Sequence, residues 1–210
     1  MDTIAYYLTH PSALIYVTAN ALMYPVIILE LVLLVFSVFE AGRFTVEMSV
    51  RRRRRSLPAL RDLTDAARKA LAGGDPEGAI AHLGEAVGTS GYGKRFAGRL
   101  TPEHMERAHI VKLLDDTESE VRRRLERTRM LVRLGPILGL MGTLIPISPA
   151  LVGLAQGDVQ TLSDNLVVAF STTVVGLLIG AIGYVISTVR ERKYLQDISD
   201  IEYALEITEL

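Results

Sequence analysis

The sequence predicts an all-α membrane protein with three transmembrane helices and long helical cytoplasmic extensions, its N-terminus outside and its C-terminus in the cytoplasm. Three observations carry this. Two uncharged segments, Leu134–Ala155 and Leu166–Val189, are each long enough to cross a bilayer as a helix, the first about 33 Å long. A third apolar run covers Ala21–Phe39, broken only by Pro25 and Glu30. All 23 Lys and Arg fall within Arg43–Arg133 and Arg190–Lys193. By the positive-inside rule those two regions face the cytoplasm, and the regions lacking cations lie in the membrane or outside.

Hydrophobic residues make up 49% of the 210 positions and are gathered in blocks, which excludes an ordinary globular fold. A formal net charge of -1 says nothing about partners, whereas the distribution of charge does. Without cysteine the chain has no disulfides and no thiolate metal ligands. No basic stretch precedes the first apolar run and no clear cleavage site follows it, so a cleaved signal peptide is not expected.

Residues 1–18 carry Tyr6, Tyr7 and Tyr16 and are interrupted at His10-Pro11-Ser12. They read as an interfacial segment on the outer face, where tyrosine sits well at headgroup level, with Ser12 capping a new helix. Residues 19–40 form the first span. Glu40-Ala41-Gly42-Arg43 returns the chain to water, and Arg51, Arg52, Arg53, Arg54 and Arg55 follow. A nucleic-acid patch would interleave aromatics, which this run lacks; it reads instead as an orientation determinant that touches anionic lipid.

Residues 41–130 make a helical cytoplasmic insertion. Leu57, Leu60, Leu63, Ala67 and Leu71 recur at helical spacing until Gly73-Gly74 stops the helix. Asp75-Pro76 restarts one, with Asp75 as cap and Pro76 at the first helical position, and Ala79-Ile80, Leu83 and Val87 form its buried side. Gly88–Gly98 reads as a glycine-rich basic loop and lacks the Lys-Ser/Thr ending of a phosphate-binding loop. From Thr101-Pro102-Glu103 a charged helix runs to Leu134 and continues into the second span, 131–155. An external turn is expected over 156–165, the third span over 166–189, and a cytoplasmic helix over 190–210 with Leu195, Ile198, Ile201 and Leu205 on one side.

No catalytic constellation is present. His10, His82, His104 and His109 do not share a face, and neither a serine elbow nor paired buried carboxylates occur, so no metal, no cofactor and no enzymatic activity are expected. The chemistry left is in the membrane. Thr172, Thr173, Gly176, Gly180, Gly183 and Ser187 fall within an arc of about 100° on the third span. On the second, Gly135, Gly139, Gly142, Pro146, Pro149 and Gly153 form a matching stripe with Thr143 at its margin. Small-residue stripes let helices approach closely in lipid. They therefore serve helix packing alone, or they set the hydroxyls along a polar path. Glu30 stands near the middle of the first span, where acids are costly. It either takes part in proton handling or stays protonated and hydrogen-bonds a neighbouring helix. Hydroxyls conduct protons only beside a titratable group, which must come from Glu30 or from another chain.

Two ordered stretches carry a resemblance. Leu138-Gly139-Leu140-Met141-Gly142-Thr143-Leu144-Ile145 with Leu151–Asp158, and Thr172-Thr173-Val174-Val175-Gly176-Leu177, resemble the second- and third-span signatures of the MotA/TolQ/ExbB proton channel family. The order of spans and insertion is similar to the TolQ/ExbB branch. The resemblance implies a homopentamer in the cytoplasmic (inner) membrane whose second and third spans line a pore. It also implies that the pore holds a dimer of a single-span partner, similar to ExbD, TolR or MotB, whose membrane aspartate carries the proton. Thr143 and Thr173 would face that aspartate, with Thr172 adjacent. The chain departs from the family at Pro146 and Pro149, at Gly183, and at Val168, where relatives carry Glu. The competing expectation is a non-conducting scaffold or sensor whose hairpin only packs.

Overall fold

Long uninterrupted apolar blocks and few internal breakers leave helix as the regular structure open to most of this chain. The computed structural model describes residues 11–50, 57–88 and 91–209. Its elements are α1 (Pro11–Ala21), α2 (Met23–Val50), α3 (Leu57–Ala72), α4 (Pro76–Val87), α5 (Gly91–Ala97), a 3₁₀ turn (Pro102–His104), α6 (Arg107–Ala155) and α7 (Val159–Thr208). Three stretches are long and apolar enough to cross a membrane, Leu14–Ser49, Arg107–Ala155 and Val159–Thr208. Most of the outer-face segment, including Tyr6, Tyr7 and His10, lies outside the described residues, as do Arg51 to Arg55.

Two compact units form. One comprises the described residues up to Gly42 together with Thr128–Val185. In it the polar side chains of α2 turn inward and the apolar ones outward. Glu30 and Ser37 are buried, whereas Ile28, Leu31, Val35 and Phe39 are exposed. That arrangement suits a lipid solvent, which rewards no burial of Leu or Ile but charges heavily for an exposed carboxyl. Helix α6 keeps its course through Pro136, Pro146 and Pro149, each of which removes one backbone donor.

The connector between α6 and α7 is shorter than the expected 156–165. Gly157 adopts φ +77, a left-handed turn open to glycine, and α7 starts at Val159. The reason is local: the Asp158 carboxylate accepts from the Thr161 N–H at 3.0 Å and from Thr161 Oγ1 at 2.5 Å, capping the new helix. At the other end of the first span, α2 runs on past Glu40-Ala41-Gly42-Arg43 to Val50.

The second unit comprises Arg43–Arg127 and Ile186–Leu210. Its core joins Leu60 and Ala67 of α3, Leu83 and Val87 of α4, Ile110 and Leu125 of α6, and Ile198, Ile201 and Leu205 of α7. Asp75 caps α4 as its sequence implies, its Oδ1 accepting from the Gly78 N–H at 2.9 Å, and Gly74 at φ +77 ends the turn before it. Three expectations change here. The glycine-rich loop holds α5, because Tyr92 and Phe96, one turn apart, are both buried. The charged helix begins at Arg107 after the 3₁₀ turn, not at Thr101. Leu195 is 58% exposed, and Tyr194 takes its place in the buried stripe.

Candidate functional site

The glycines of α6 and α7 meet each other. A carbon built on Gly135 would fall 2.6 Å from the Gly176 oxygen and 2.8 Å from the Gly180 nitrogen; one on Gly139, 3.2 Å from the Gly176 Cα. Gly180 packs on the Pro136 ring, and Gly183 on the backbone and Cβ of Leu131. Backbone against backbone at these distances leaves no space for any side chain, so the seam depends on glycine for close approach.

The hydroxyls divide. Thr172 is buried in the seam, opposite Gly142, and donates to the carbonyls of Ala169 at 2.9 Å and Val168 at 3.1 Å on its own helix. Thr173 is half-buried and donates to the Ala169 oxygen at 3.2 Å. Thr143 is half-buried too and donates to the Leu140 oxygen at 2.7 Å. A carbon on Gly139 would stand 3.4 Å from the Thr173 Cα, and Thr143 lies one turn beyond Gly139 on the same face. Thr143 and Thr173 therefore border the seam. Each spends its proton on its own helix and keeps oxygen lone pairs to offer a donor. Ser187 is buried and belongs to the second unit.

Glu30 is 2% exposed, and its carboxyl reaches the backbone of Gly176. Its Oε1 has no hydrogen-bond partner. No spacing rule in the sequence announces this contact, because it pairs residues 146 positions apart in chain order.

A second polar cluster has no motif in the sequence to mark it. Glu47 of α2 collects three partners in the second unit: Arg190 Nε donates to it at 3.2 Å, Tyr194 Oη at 2.8 Å, and Arg124 Nη2 lies at 3.5 Å. Arg190 is fully buried, with its guanidinium 5.9 Å from the Phe44 ring. Tyr194 stacks edge-on to Tyr92 with centroids 4.8 Å apart. Burial, reinforced by the Glu47 charge, pushes the Tyr194 hydroxyl well above its ordinary range, so it stays a donor. The only sequence signal was a Glu in helical register with Glu40 and Ser37 on the inward side of α2.

Among the described residues no group of three potential metal ligands assembles. His109 lies 3.7 Å from Glu106 on the surface.

A model of the MotA/TolQ/ExbB proton channel family matches residues 83–203. That range holds the seam, both bordering threonines and the α7 side of the Glu47 cluster, and leaves out Glu30 and Glu47. No curated protein and no solved structure matches the chain.

Proposed function

The chain belongs to the MotA/TolQ/ExbB proton channel family, and from that premise we propose that it is the channel-forming subunit of an ion-motive-force-driven membrane motor, with protons as the ion. It is an integral membrane protein of ion-channel type. The finer reading places it in the TolQ/ExbB-like branch and in the cytoplasmic (inner) membrane, N-terminus outside, with Arg51 to Arg55 touching anionic lipid.

One observation supports the reading above all. Thr143 and Thr173 border the α6–α7 seam, half-buried, with their protons committed to their own helices, in segments 134–155 and 166–189 that contain no charged side chain. Such oxygens suit a guest that donates: a protonated carboxyl entering from another chain. A dimer of a single-span, Asp-bearing protein, similar to ExbD, TolR or MotB, inside a homopentamer of this chain provides it. Protonation of that aspartate discharges it in the membrane, and the threonine oxygens accept its O–H while it passes.

The test pairs assembly with flux. The neighbouring reading frame is expected to encode a short one-span protein with an Asp near its cytoplasmic end, and native mass spectrometry of the purified pair should give five copies to two. Thr173→Val keeps the shape and removes the hydroxyl; proton flux should fall at least about tenfold with assembly intact. A pentamer that never retains a partner counts against the motor.

The scaffold reading has an observation of its own. The glycine stripes are engaged with each other inside one chain, which is what a packing-only hairpin needs. Under that reading Thr173→Val assembles and signals as wild type.

A further inference from the structure

We propose that Glu30 is a proton-binding site contributed by this chain itself, at the contact of α2 with α7, and that its exchange of a proton is part of ion passage. The inference rests on the channel reading and adds a group outside the matched residues 83–203. Three observations converge. The carboxyl is 2% exposed and one of its oxygens lacks any partner. On the two helices of the seam, segments 134–155 and 166–183 hold no ionisable side chain, with Arg133 and Tyr184 just beyond them, and the nearest acid along α2 is Glu40, ten residues on, about 15 Å along the helix. The carboxyl reaches the backbone of Gly176, which also packs on Gly135 and Gly139.

A carboxylate with so little access to solvent is costly, whereas the protonated form costs far less. The two forms therefore make opposite demands on the α2–α7 contact. Loading a proton (one O–H bond formed on the carboxylate, one water released from hydronium) lets α2 close onto Gly176; unloading it requires the contact to open to water. Gly176 is one turn from Thr172 and Thr173, so opening there disturbs the same turn that presents the bordering hydroxyl. A sodium site is the poorer fit, since one carboxyl over an apolar seam supplies too few oxygens.

The test uses the full chain with its partner in membranes, treated with lipid-soluble dicyclohexylcarbodiimide, to whose central carbon a protonated carboxyl adds while its proton passes to the nitrogen, followed by peptide mass mapping. Glu30 should be modified, at least about threefold more slowly at pH 9 than at pH 6. A Glu30 left unmodified throughout, or modified at a rate that ignores pH, overturns the proposal without any variant having to fold. Proton flux is then compared across variants. Glu30→Gln, checked for assembly by native mass spectrometry, should lose at least about tenfold, and Glu30→Asp should recover part of it. Should Glu30→Gln conduct like wild type while Thr173→Val does not, only this inference fails. Should wild type itself pass no protons, the channel reading fails, and the labelling alone decides the binding site.

Discussion

Thr172 occupies the space that Gly142 leaves empty: a carbon built on Gly142 would lie 2.5 Å from Thr172 Oγ1 and 2.6 Å from its Cβ. The two residues are a knob and its recess on opposite helices of one hairpin. Family resemblance sets Thr172 and Thr173 side by side as neighbours on a pore, yet a 100° step of the helix sends the first into the seam and the second to its border. Packing thus accounts for Thr172, and the proposed path is left to the threonines at the border.

Thr172→Val should accordingly change little. The hydroxyl bonds only to its own helix in the pairs seen here, and Val retains the branched shape that fills Gly142. Proton flux within about twofold of wild type is expected, against the large loss for Thr173→Val. Equal losses in the two variants would place both hydroxyls on the path.

Glycine substitutions sort by what their new carbon meets. In Gly176→Ala it would approach the Gly135 oxygen to 2.5 Å and the Gly139 Cα to 2.8 Å, backbone atoms that move only if the helices part. A destabilisation of about 1–3 kcal/mol follows, read as a lower melting midpoint in detergent. Gly42→Ala meets nothing within 4 Å on a helix interior and should stabilise by about 0.5–1 kcal/mol. An unshifted Gly176→Ala would mean the seam is looser than described.

Glu47→Gln weakens a buried ion pair. Arg190 is fully buried and Arg124 shares the same carboxylate, so removing its charge leaves two guanidinium groups facing a neutral amide. The expected cost is about 3 kcal/mol, most of it recovered in the double variant Glu47→Gln/Arg190→Met, because a long apolar side chain needs no counter-charge. A double variant no more stable than Glu47→Gln alone would show that the pair is not the source of the loss.

Asp158 gives the connector a pH dependence. The hydrogen bond from the Thr161 hydroxyl, followed by that from its N–H, holds the carboxyl below its ordinary value. A depressed carboxyl contributes helix-cap stability that is complete above the unfolded pKa, about 3.9, and is lost as pH falls through the lower folded value. Thr161→Val should move the Asp158 titration upward towards the ordinary value, measured by carboxyl-carbon NMR. A titration that does not move would remove the hydroxyl from the cap.

Much of this was legible in one dimension. The three apolar blocks, the Asp75-Pro76 restart and the Gly73-Gly74 stop depend on neighbours within a few residues, and each appears where the spacing put it. Helix α5 was hidden because Gly91, Gly93 and Gly98 argue for loop, and only a core able to take Tyr92 and Phe96 outweighs their backbone entropy. Leu195 and Tyr194 differ by a single residue: composition favours the leucine for the buried stripe, but the buried side of α7 is set by the helices packed on it.

Chain chemistry alone determined that three helices are long and apolar enough to cross a membrane, which stretches carry the cations, and which residues are small enough for backbones to touch, because hydropathy, charge and side-chain volume belong to each residue wherever it sits. Tertiary structure decided that Gly176 lies against Gly135, Gly139 and Glu30, that Thr172 is in the seam and Thr173 at its border, and that Glu47 gathers Arg190, Arg124 and Tyr194. Those pairings join residues tens to well over a hundred positions apart, and only the packing of whole helices sets which side of each one faces another.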